Sequence, residues 1–535
     1  MGNTVSLFRL ALAEFFERMR TLRTLKERLQ VSPGLPVDNP SRSFWMYPPS
    51  PIAQHCATLP DYADFVVIGS GITGTSVAKG VLDRCHAEGH APRLVMLEAR
   101  EACSGATGRN GGHISPPLYH DYMTLKEDHR DDIAQKMIKF RLAHLHELRR
   151  VAEEEGVLEE SQWREVETVD VFYNQAQFDK AKMKVQRYQQ DLPFESSHHR
   201  VYESAEAIQK YSLAHDAAGC IASSAGAMHP YNLVTGILSK LLMRYSDNFF
   251  LCTNTPCISI SGPSSSEPLY TVITSKGTVR TPHVIHATNG WSSHLLEPMR
   301  GKIIPFRGNM TTQRPGQSLP SQTIQRSFIF YATQVGYDYL TQLPHGEREF
   351  MLGGVFAQEG QEGLEAMGNT DDSTHSKHVG AHLAGVLPRY FGEDNWGAEG
   401  QPADEGGRES DVGWSKGRVK AIWSGILGIS VDLLPWVGRL PPSISGRSGT
   451  LNAASHSINT EDKVLVCAPP GEWIAAGYSG EGMVHAWMSG KALAEMILGR
   501  EREGNLAEWF PEILRVTTGR WKKARAENLL DAFGD

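Results

Sequence analysis

A glycine-rich turn between two short apolar runs is the feature that most constrains how this chain folds. The first run covers residues 65–68, and the second covers residues 94–97 and leads to Glu98. The turn opens a helix-like segment and reads Gly69-Ser70-Gly71-Ile72-Thr73-Gly74. Strand, glycine turn, helix, strand and acid in this order are typical of a βαβ unit that binds a dinucleotide. The sequence therefore predicts such a unit from residue 64 onward.

The spacing of the three glycines has a physical reason. Gly69 allows the tight turn out of the strand, Gly71 lets the backbone approach a pyrophosphate, and Gly74 lets the helix pack close to the strand. The pyrophosphate would lie at the helix N-terminus, where free N–H groups and the helix dipole favour an anion. Glu98 would accept hydrogen bonds from the ribose hydroxyls.

Length and composition narrow the class of protein. The 535 residues predict two or three domains. The net charge of -8, with scattered basic residues, argues against a nucleic-acid partner. The seven cysteines are dispersed and include no C-x-x-C pair, which predicts reduced thiols in an intracellular compartment and no metal site. No apolar run reaches the roughly 18 residues of a membrane span.

The first 29 residues form an N-terminal arm with three open interpretations. Residues 1–6 match the N-myristoylation pattern, and residues 5–29 have the pattern of a basic amphipathic helix. An acyl chain with a basic patch would make a peripheral membrane contact, whereas a leader helix packed on the rest of the chain explains the pattern equally well. A mitochondrial transit peptide is weakened by three glutamates in the arm. Localisation is therefore predicted as cytoplasmic or peripheral to a membrane, with mitochondria as the alternative.

Four further segments carry a family resemblance. They are residues 104–112 (SGATGRNGG), 287–291 (ATNGW), 423–438 (WSGILG through DLLPWVG) and 476–483 (AGYSGEGM). In this order they resemble the FAD-dependent oxidoreductases of the D-amino-acid oxidase superfamily, in the branch of glycine/sarcosine oxidases and γ-glutamylputrescine oxidase. The resemblance spans residues 64–500, and it favours a flavin over the nicotinamide cofactor that the first turn alone would also accept.

The resemblance implies a fold and a division into domains. The fold class is an α/β FAD-binding Rossmann-like domain, discontinuous in sequence, with an α+β substrate domain built on a mainly antiparallel sheet. The FAD-binding domain is predicted at residues 64–162, 216–301 and 464–500, and the substrate domain at 163–215 and 302–440. Residues 30–63 are rich in proline and are predicted as a linker, 441–463 as a loop and 501–535 as a C-terminal extension.

The cofactor implied is noncovalent FAD, because residues 418–432, where some relatives carry the linking cysteine, contain none. The turn at 477–482 precedes a predicted helix, Met483 to Leu498, whose N-terminus would stabilise the reduced flavin. Arg109 would offset negative charge in the 104–112 loop. The predicted cofactor-binding residues are Gly69, Ser70, Gly71, Ile72, Thr73, Gly74, Glu98, Ala99, Arg100, Gly105, Ala106, Thr107, Arg109, Asn110, Gly111, Gly112, Ala287, Thr288, Asn289, Gly290, Gly477, Ser479, Gly480, Gly482 and Met483.

The reaction implied is oxidation of the carbon–nitrogen bond of a small-molecule amine or amino acid to an imine. His113 follows the glycine pair and could tune the pH at which a neutral amine reacts. Lys302 and Arg307 could assist reoxidation by oxygen, or they could be surface cations. Tyr339 is the fourth candidate catalytic residue.

Tyr339 belongs to a group of tyrosines that also includes Tyr331 and Tyr337. All three fall on a predicted substrate-domain strand, where they could wall a pocket or pack the sheet. Packing is the simpler interpretation.

Three alternative functions remain open. The chain could be a flavoenzyme that tailors a larger specialised metabolite. A nicotinamide-dependent dehydrogenase would use the same βαβ unit but leaves the turn at 476–483 unexplained. A membrane-tethered flavoprotein with a non-catalytic binding role would rest on the N-terminal arm alone.

Overall fold

The computed structural model describes residues 23–332, 336–354, 365–400, 402, 413–447, 457–460 and 463–527. The strands are β1 Phe65–Ile68, β2 Leu94–Leu97, β3 His113–Ile114, β4 Arg164–Phe172, β5 Arg200–Glu203, β6 Gly219–Ala227, β7 Phe249–Cys252, β8 Cys257–Ser261, β9 Tyr270–Thr274, β10 Gly277–Thr281, β11 His283–His286, β12 Ile303–Gln313, β13 Arg326–Tyr331, β14 Asp338–Gln342, β15 Phe350–Gly354, β16 Val419–Ser430, β17 Trp436–Arg439, β18 Ser457–Thr460, β19 Lys463–Val466 and β20 Gly471–Ala476. The helices are α1 Ile72–Ala87, α2 Leu118–Asp128, α3 Asp131–Glu154, α4 Gln175–Asp191, α5 Ser204–Tyr211, α6 Pro230–Arg244, α7 Ser292–Leu295, α8 Lys377–Phe391, α9 Glu393–Trp396, α10 Pro442–Ser445, α11 Ala486–Ile497, α12 Leu506–Trp509 and α13 Thr518–Lys523.

A six-stranded sheet contains the predicted βαβ unit. Its strand order is β17-β20-β11-β1-β2-β7, and every pair except β17–β20 is parallel. Both apolar runs became fully buried strands, as parallel strands covered on two faces must be. Helix α11, from the far end of the chain, packs against α1, where the Ser76 hydroxyl donates to the Trp487 carbonyl at 2.6 Å. Distant segments therefore complete this domain, and the predicted fold class is confirmed.

A second, larger sheet contains nine strands. Its order is β16-β12-β15-β14-β13-β4-β6-β3, with β5 paired to β6. The β13–β4 pair is parallel, and the other pairs of this sheet are antiparallel. Helix α8 covers one face of the sheet, where Leu383, Leu387 and Phe391 are buried against Phe328 and Phe350.

Three helix boundaries differ from the sequence pattern. The helical pattern near 122–156 is two helices, because Arg130 is extended and Asp131 starts a new helix with acidic residues at its N-terminus. The stretch 175–211 contains β5 between α4 and α5. The helix predicted from Met483 begins at Ala486, after a 3₁₀ turn at Gly482–Val484.

The proline-rich segment at 30–63 packs along the cofactor loop. Trp45 is 1% exposed, and its indole N–H donates to the Asn110 carbonyl. The Ser43 hydroxyl donates to the Gly108 carbonyl at 2.6 Å. The segment thus supports the 104–112 loop from behind.

Part of the N-terminal arm also packs on the rest of the chain. Residues 23–29 are helical, and Leu25 and Leu29 are buried beside Met299. The Arg28 guanidinium donates to the Met367 carbonyl at 3.1 Å. The myristoylation pattern lies outside the described residues. Within the described residues, no helix combines the length and the hydropathy needed to cross a membrane.

Candidate cofactor and substrate site

The first of two adjoining cavities lies at the C-terminal ends of β1, β2 and β11. Its volume is about 180 Å³. Most of the predicted cofactor residues line it: Gly69, Ser70, Gly71, Ile72, Thr73, Glu98, Ala99, Arg100, Gly105, Ala106, Thr107, Asn110, Ala287, Thr288, Asn289, Gly480, Gly482 and Met483. The structure therefore brings the βαβ turn, the 104–112 loop and the 476–483 turn to one place.

Four of the predicted cofactor residues, all glycines, line neither cavity. They occupy positions where close packing or the backbone conformation favours glycine. A Cβ at Gly74 would lie 2.0 Å from the Gly69 carbonyl oxygen, so only glycine lets α1 sit so close to β1. Gly112 and Gly477 have φ angles of +73° and +80°, which favour glycine. A Cβ at Gly290 would lie 2.5 Å from the Leu427 carbonyl oxygen.

Glu98 lies where the sequence pattern predicted it. Its Oε2 accepts from the Ser70 hydroxyl at 2.6 Å and from the Ser70 N–H at 3.2 Å. Its Oε1 accepts from the Arg100 N–H at 3.1 Å. These bonds hold the carboxylate at the rim of the first cavity.

The two arginines of this region are engaged with one buried carboxylate. Arg100 donates to both oxygens of Asp372, at 2.9 and 3.0 Å. Arg109 is 3.6 Å from Asp372 and donates to the carbonyls of Ser104 and Ser424. The sequence predicts that Arg109 offsets negative charge in its loop. In the structure its guanidinium points into the protein and faces Asp372 and these carbonyl oxygens.

The second cavity continues from the first and is larger. The two share Ala106, Asn110, Leu427, Gly480 and Met483 as lining residues. Its volume of about 550 Å³ falls within the range typical of small-molecule sites. Gly111 and Ser479 line this cavity, as does Arg109.

An aromatic wall bounds the second cavity. Neighbouring ring centroids along it are 4.1–6.4 Å apart. In order, its members are His113, Tyr339, Tyr337, Tyr331, His120 and Tyr119. The three tyrosines predicted by the simpler interpretation to pack the sheet thus line a cavity. Tyr331 ends β13, whereas Tyr339 lies on β14, so two strands supply them.

His113 is one of two predicted catalytic residues found in this cavity. Its Nδ1 is 2.8 Å from the Ser327 hydroxyl. Burial lowers the pKa of His113 to about 3, so its ring stays neutral near pH 7 and does not tune the reaction by titrating. Its Nε2 is buried and has no hydrogen-bond partner among the described residues. Tyr339, the other, donates its hydroxyl to the Met310 sulfur at 3.2 Å.

Lys302 and Arg307 line neither cavity. The Lys302 ammonium donates to the Ala524 carbonyl and lies 5.1 Å from the centre of the Trp521 ring, on the C-terminal extension. Arg307 lies on β12, where its neighbours Gly308 and Met310 line the second cavity. A reoxidation role for either cation therefore lacks geometric support here.

A charged cluster at the edge of the second cavity escaped the sequence prediction. The Arg141 guanidinium is 2.6 Å from Asp121 Oδ2 and 3.1 Å from Glu481 Oε2, and its Nε is 3.2 Å from His485 Nε2. Burial raises the pKa of Glu481 to about 7, with Arg141 opposing and Asp121 adding to the rise. Glu481 keeps 29% of its side chain exposed, on the cavity side.

Asp170 is the second missed feature. Its Oδ2 accepts from the Tyr119 hydroxyl at 2.6 Å and lies 3.0 Å from His120 Nε2. For the charged cluster, the only signal in the sequence was the position of Glu481 inside the 476–483 motif. Asp121, Arg141 and Asp170 lie on α2, α3 and β4 and share no local motif, so sequence spacing could not assemble them.

Comparison with known proteins identifies the family. The chain matches the family described as "DAO: FAD dependent oxidoreductase" over residues 64–496. It therefore belongs to the DAO family of FAD-dependent oxidoreductases. A search of curated proteins found no match.

Solved structures of similar fold agree with this assignment. Glycine oxidase from Geobacillus kaustophilus is 16% identical with a TM-score of 0.56, covering 84% of this chain and 98% of its own. L-proline dehydrogenase from P. horikoshii is 18% identical with a TM-score of 0.57, covering 85% and 97%. L-α-glycerophosphate oxidase from Mycoplasma pneumoniae, solved with FAD bound, is 12% identical with a TM-score of 0.51, covering 82% and 95%.

The two adjoining cavities fit FAD. The βαβ turn and Glu98 line the first cavity, where they would hold the adenosine half, and the shared lining leads into the wider second cavity. A Cβ at Gly105 or Gly480 would meet nothing within 4 Å, so both glycines leave open space where they line the cavities. A long folded ligand with a flat ring at one end suits this shape.

Proposed function

We propose that this protein oxidises a carbon–nitrogen bond of a small amine or amino-acid-type substrate to an imine. The observation that carries the proposal is the placement of Glu481 between Gly480 and Met483 in the chain, both of which line the two cavities. An amine is oxidised in its neutral form, so a group that removes its proton belongs next to the flavin site. A carboxyl group whose pKa is raised to about 7 is suited to that step near neutral pH.

The residues of the second cavity have separate parts in this proposal. The Glu481 carboxylate accepts a proton from the substrate ammonium, and Arg141, 3.1 Å from Oε2, holds the carboxylate in place. His485 bonds Arg141 Nε and the backbone carbonyl of Glu481 and so positions both. The aromatic wall orients the carbon skeleton and limits water beside it. When bound, FAD supplies the acceptor for the hydride from the α-carbon. The imine then reacts with water to release its nitrogen.

The named activities of similar structures support the same class. Glycine oxidase and L-proline dehydrogenase act on amino acids, as their names state. L-α-glycerophosphate oxidase shows that the fold alone does not select nitrogen substrates. Glu481 and the aromatic wall are the features of this chain that favour an amine.

Anaerobic reduction of the bound flavin tests the proposal. Purified holoenzyme is mixed without oxygen with a library of primary amines, secondary amines and amino acids, and bleaching of the yellow flavin is followed. We expect bleaching by at least one nitrogen class and none by matched alcohols. Bleaching by hydroxy acids or alcohols alone would contradict the proposal.

We propose that the FAD is held without a covalent bond. Cys467 is buried away from both cavities, and the described residues that line the second cavity include no cysteine. Acid precipitation should leave a colourless pellet and a yellow supernatant. A yellow pellet would contradict noncovalent binding.

A further inference from the structure

We infer that the second cavity accepts an amine that carries another positive charge and no free carboxylate. This inference rests on the proposed function and narrows its substrate class. Four independent observations lead to it: the charges of the cavity, the engagement of its guanidinium groups, its unpartnered polar atoms and its aromatic wall.

Negative charge predominates in the lining. Five carboxylates line the second cavity: Asp121, Asp128, Asp170, Asp432 and Glu481. Asp432 is neutralised by Arg520, at 2.8 and 3.0 Å. Neither Asp128 nor Asp170 has a lysine or arginine partner in the described part of the chain. A site of this kind favours cations and repels a carboxylate.

The two guanidinium groups that line the cavity are already engaged. Arg141 is shared between Asp121 and Glu481, so this trio carries a net negative charge whenever Glu481 is ionised. Arg109 lies beside Asp372 and donates to carbonyl oxygens. A substrate carboxylate would have to break one of these arrangements, because no other arginine or lysine is among the described lining residues.

The unpartnered polar atoms of the cavity are suited to receive N–H donors. Asp121 Oδ1, Thr168 Oγ1, Ser115 Oγ and His113 Nε2 are buried without a hydrogen-bond partner among the described residues. Thr168 is 7% exposed and lines the cavity two residues from Asp170 on β4, on the same face of the strand. A buried acceptor without a partner costs stability until a ligand supplies a donor. An ammonium group has three donors to offer.

The aromatic wall completes the cation site. Its tyrosine rings can attract alkylammonium groups by cation–π contact. Asp121, Leu125 and Asp128 occupy one face of α2 along the cavity. Asp121 shares Arg141 with Glu481, so the reacting nitrogen would lie at this end, by Glu481. The distal charge of the substrate would lie about two helical turns further along α2, by Asp128. The shape and charge thus match a diamine or an N-alkylated diamine.

A matched panel of probes tests the inference in the holoenzyme. Diamines of three to six carbons, and their N-methyl derivatives, are compared by anaerobic flavin bleaching with ω-amino acids and monoamines of the same length, and with α-amino acids. We expect diamines to bleach the flavin at concentrations at least tenfold lower than their matched amino acids. Equal or tighter response to the amino acids would overturn the inference and leave the proposed function standing. Bleaching by no nitrogen compound would contradict the proposed function itself.

A pair of neighbouring variants provides an independent readout. Asp128→Asn removes an exposed charge at the cavity mouth, whereas Glu127→Gln removes an exposed charge next to it that does not line the cavity. We expect the half-saturating diamine concentration to rise about threefold in Asp128→Asn, with the effect shrinking as salt is added. Glu127→Gln should match the parent enzyme. The same small effect in both variants, or none in either, would overturn the placement of the distal charge.

Discussion

Gly74 offers the sharpest test of the cofactor site. A Cβ at this position would lie 2.0 Å from the Gly69 carbonyl oxygen, 3.1 Å from its carbonyl carbon and 3.3 Å from Val67 Cγ1. Normal contacts with carbon are near 3.5 Å. The Gly74→Ala variant must therefore move α1 away from the end of β1 by about 1 Å or more, because the clash is with backbone and no side chain can rotate away.

The magnitude follows from this displacement. Overpacking of this kind costs about 1–3 kcal/mol. If the loss appears in the cofactor-bound state, FAD affinity falls about 5-fold to 150-fold, since each 1.4 kcal/mol is tenfold in affinity. The sign of the change in stability is diagnostic, because a glycine-to-alanine substitution inside a helix stabilises the protein by roughly 0.5–1 kcal/mol when there is no clash.

The assay uses FAD titration of the apoprotein by flavin fluorescence, together with thermal unfolding. Gly385→Ala is the matched control, because Gly385 lies within α8 and a Cβ there would meet nothing within 4 Å. We expect the control to bind FAD normally and to unfold at the parent temperature or slightly above it. Normal FAD affinity and thermal stability in Gly74→Ala would refute the close-packing argument.

Three further predictions follow from buried charges. Glu481→Gln should abolish the rise in the rate of anaerobic flavin reduction as pH increases through 7. At pH 8 this rate should fall about a hundredfold while the FAD content stays unchanged. A rate that still rises through pH 7 in the variant would refute the proton-acceptor role. Asp372→Asn should cost about 3–5 kcal/mol of stability in denaturant unfolding, because the buried Arg100 loses its negatively charged partner and one of its two acceptor oxygens, and an unchanged midpoint would contradict this. Burial raises the pKa of Glu472, but Arg447 lowers it further, so the pKa falls to about 2. The contribution of Glu472 to the free energy of unfolding should thus be complete above about pH 4.5 and disappear as pH falls towards 2. A Glu472→Gln variant that loses stability as steeply as the parent in that acid range would refute this assignment.

Local pattern was sufficient for the elements around the βαβ unit. Residues 65–68 and 94–97 form strands as the apolar runs predicted, because short apolar runs bounded by turn residues are buried whichever sheet they join. On β12 the pattern was insufficient. The strand was expected, but three consecutive residues, Gly308, Asn309 and Met310, line the cavity and Arg307 just before them does not, which is decided by the packing around the strand.

The glycine turns, Glu98 and the order of the motifs are properties of the sequence alone, because they depend on backbone freedom and spacing within a few residues. The turns and Glu98 were enough to predict a dinucleotide site, and the family resemblance of the later motifs added the flavin. The tertiary structure alone decided the second cavity, since Glu481 meets Asp121 and Arg141 only after segments more than 300 residues apart have packed together. Charge and substrate preference therefore depend on long-range packing.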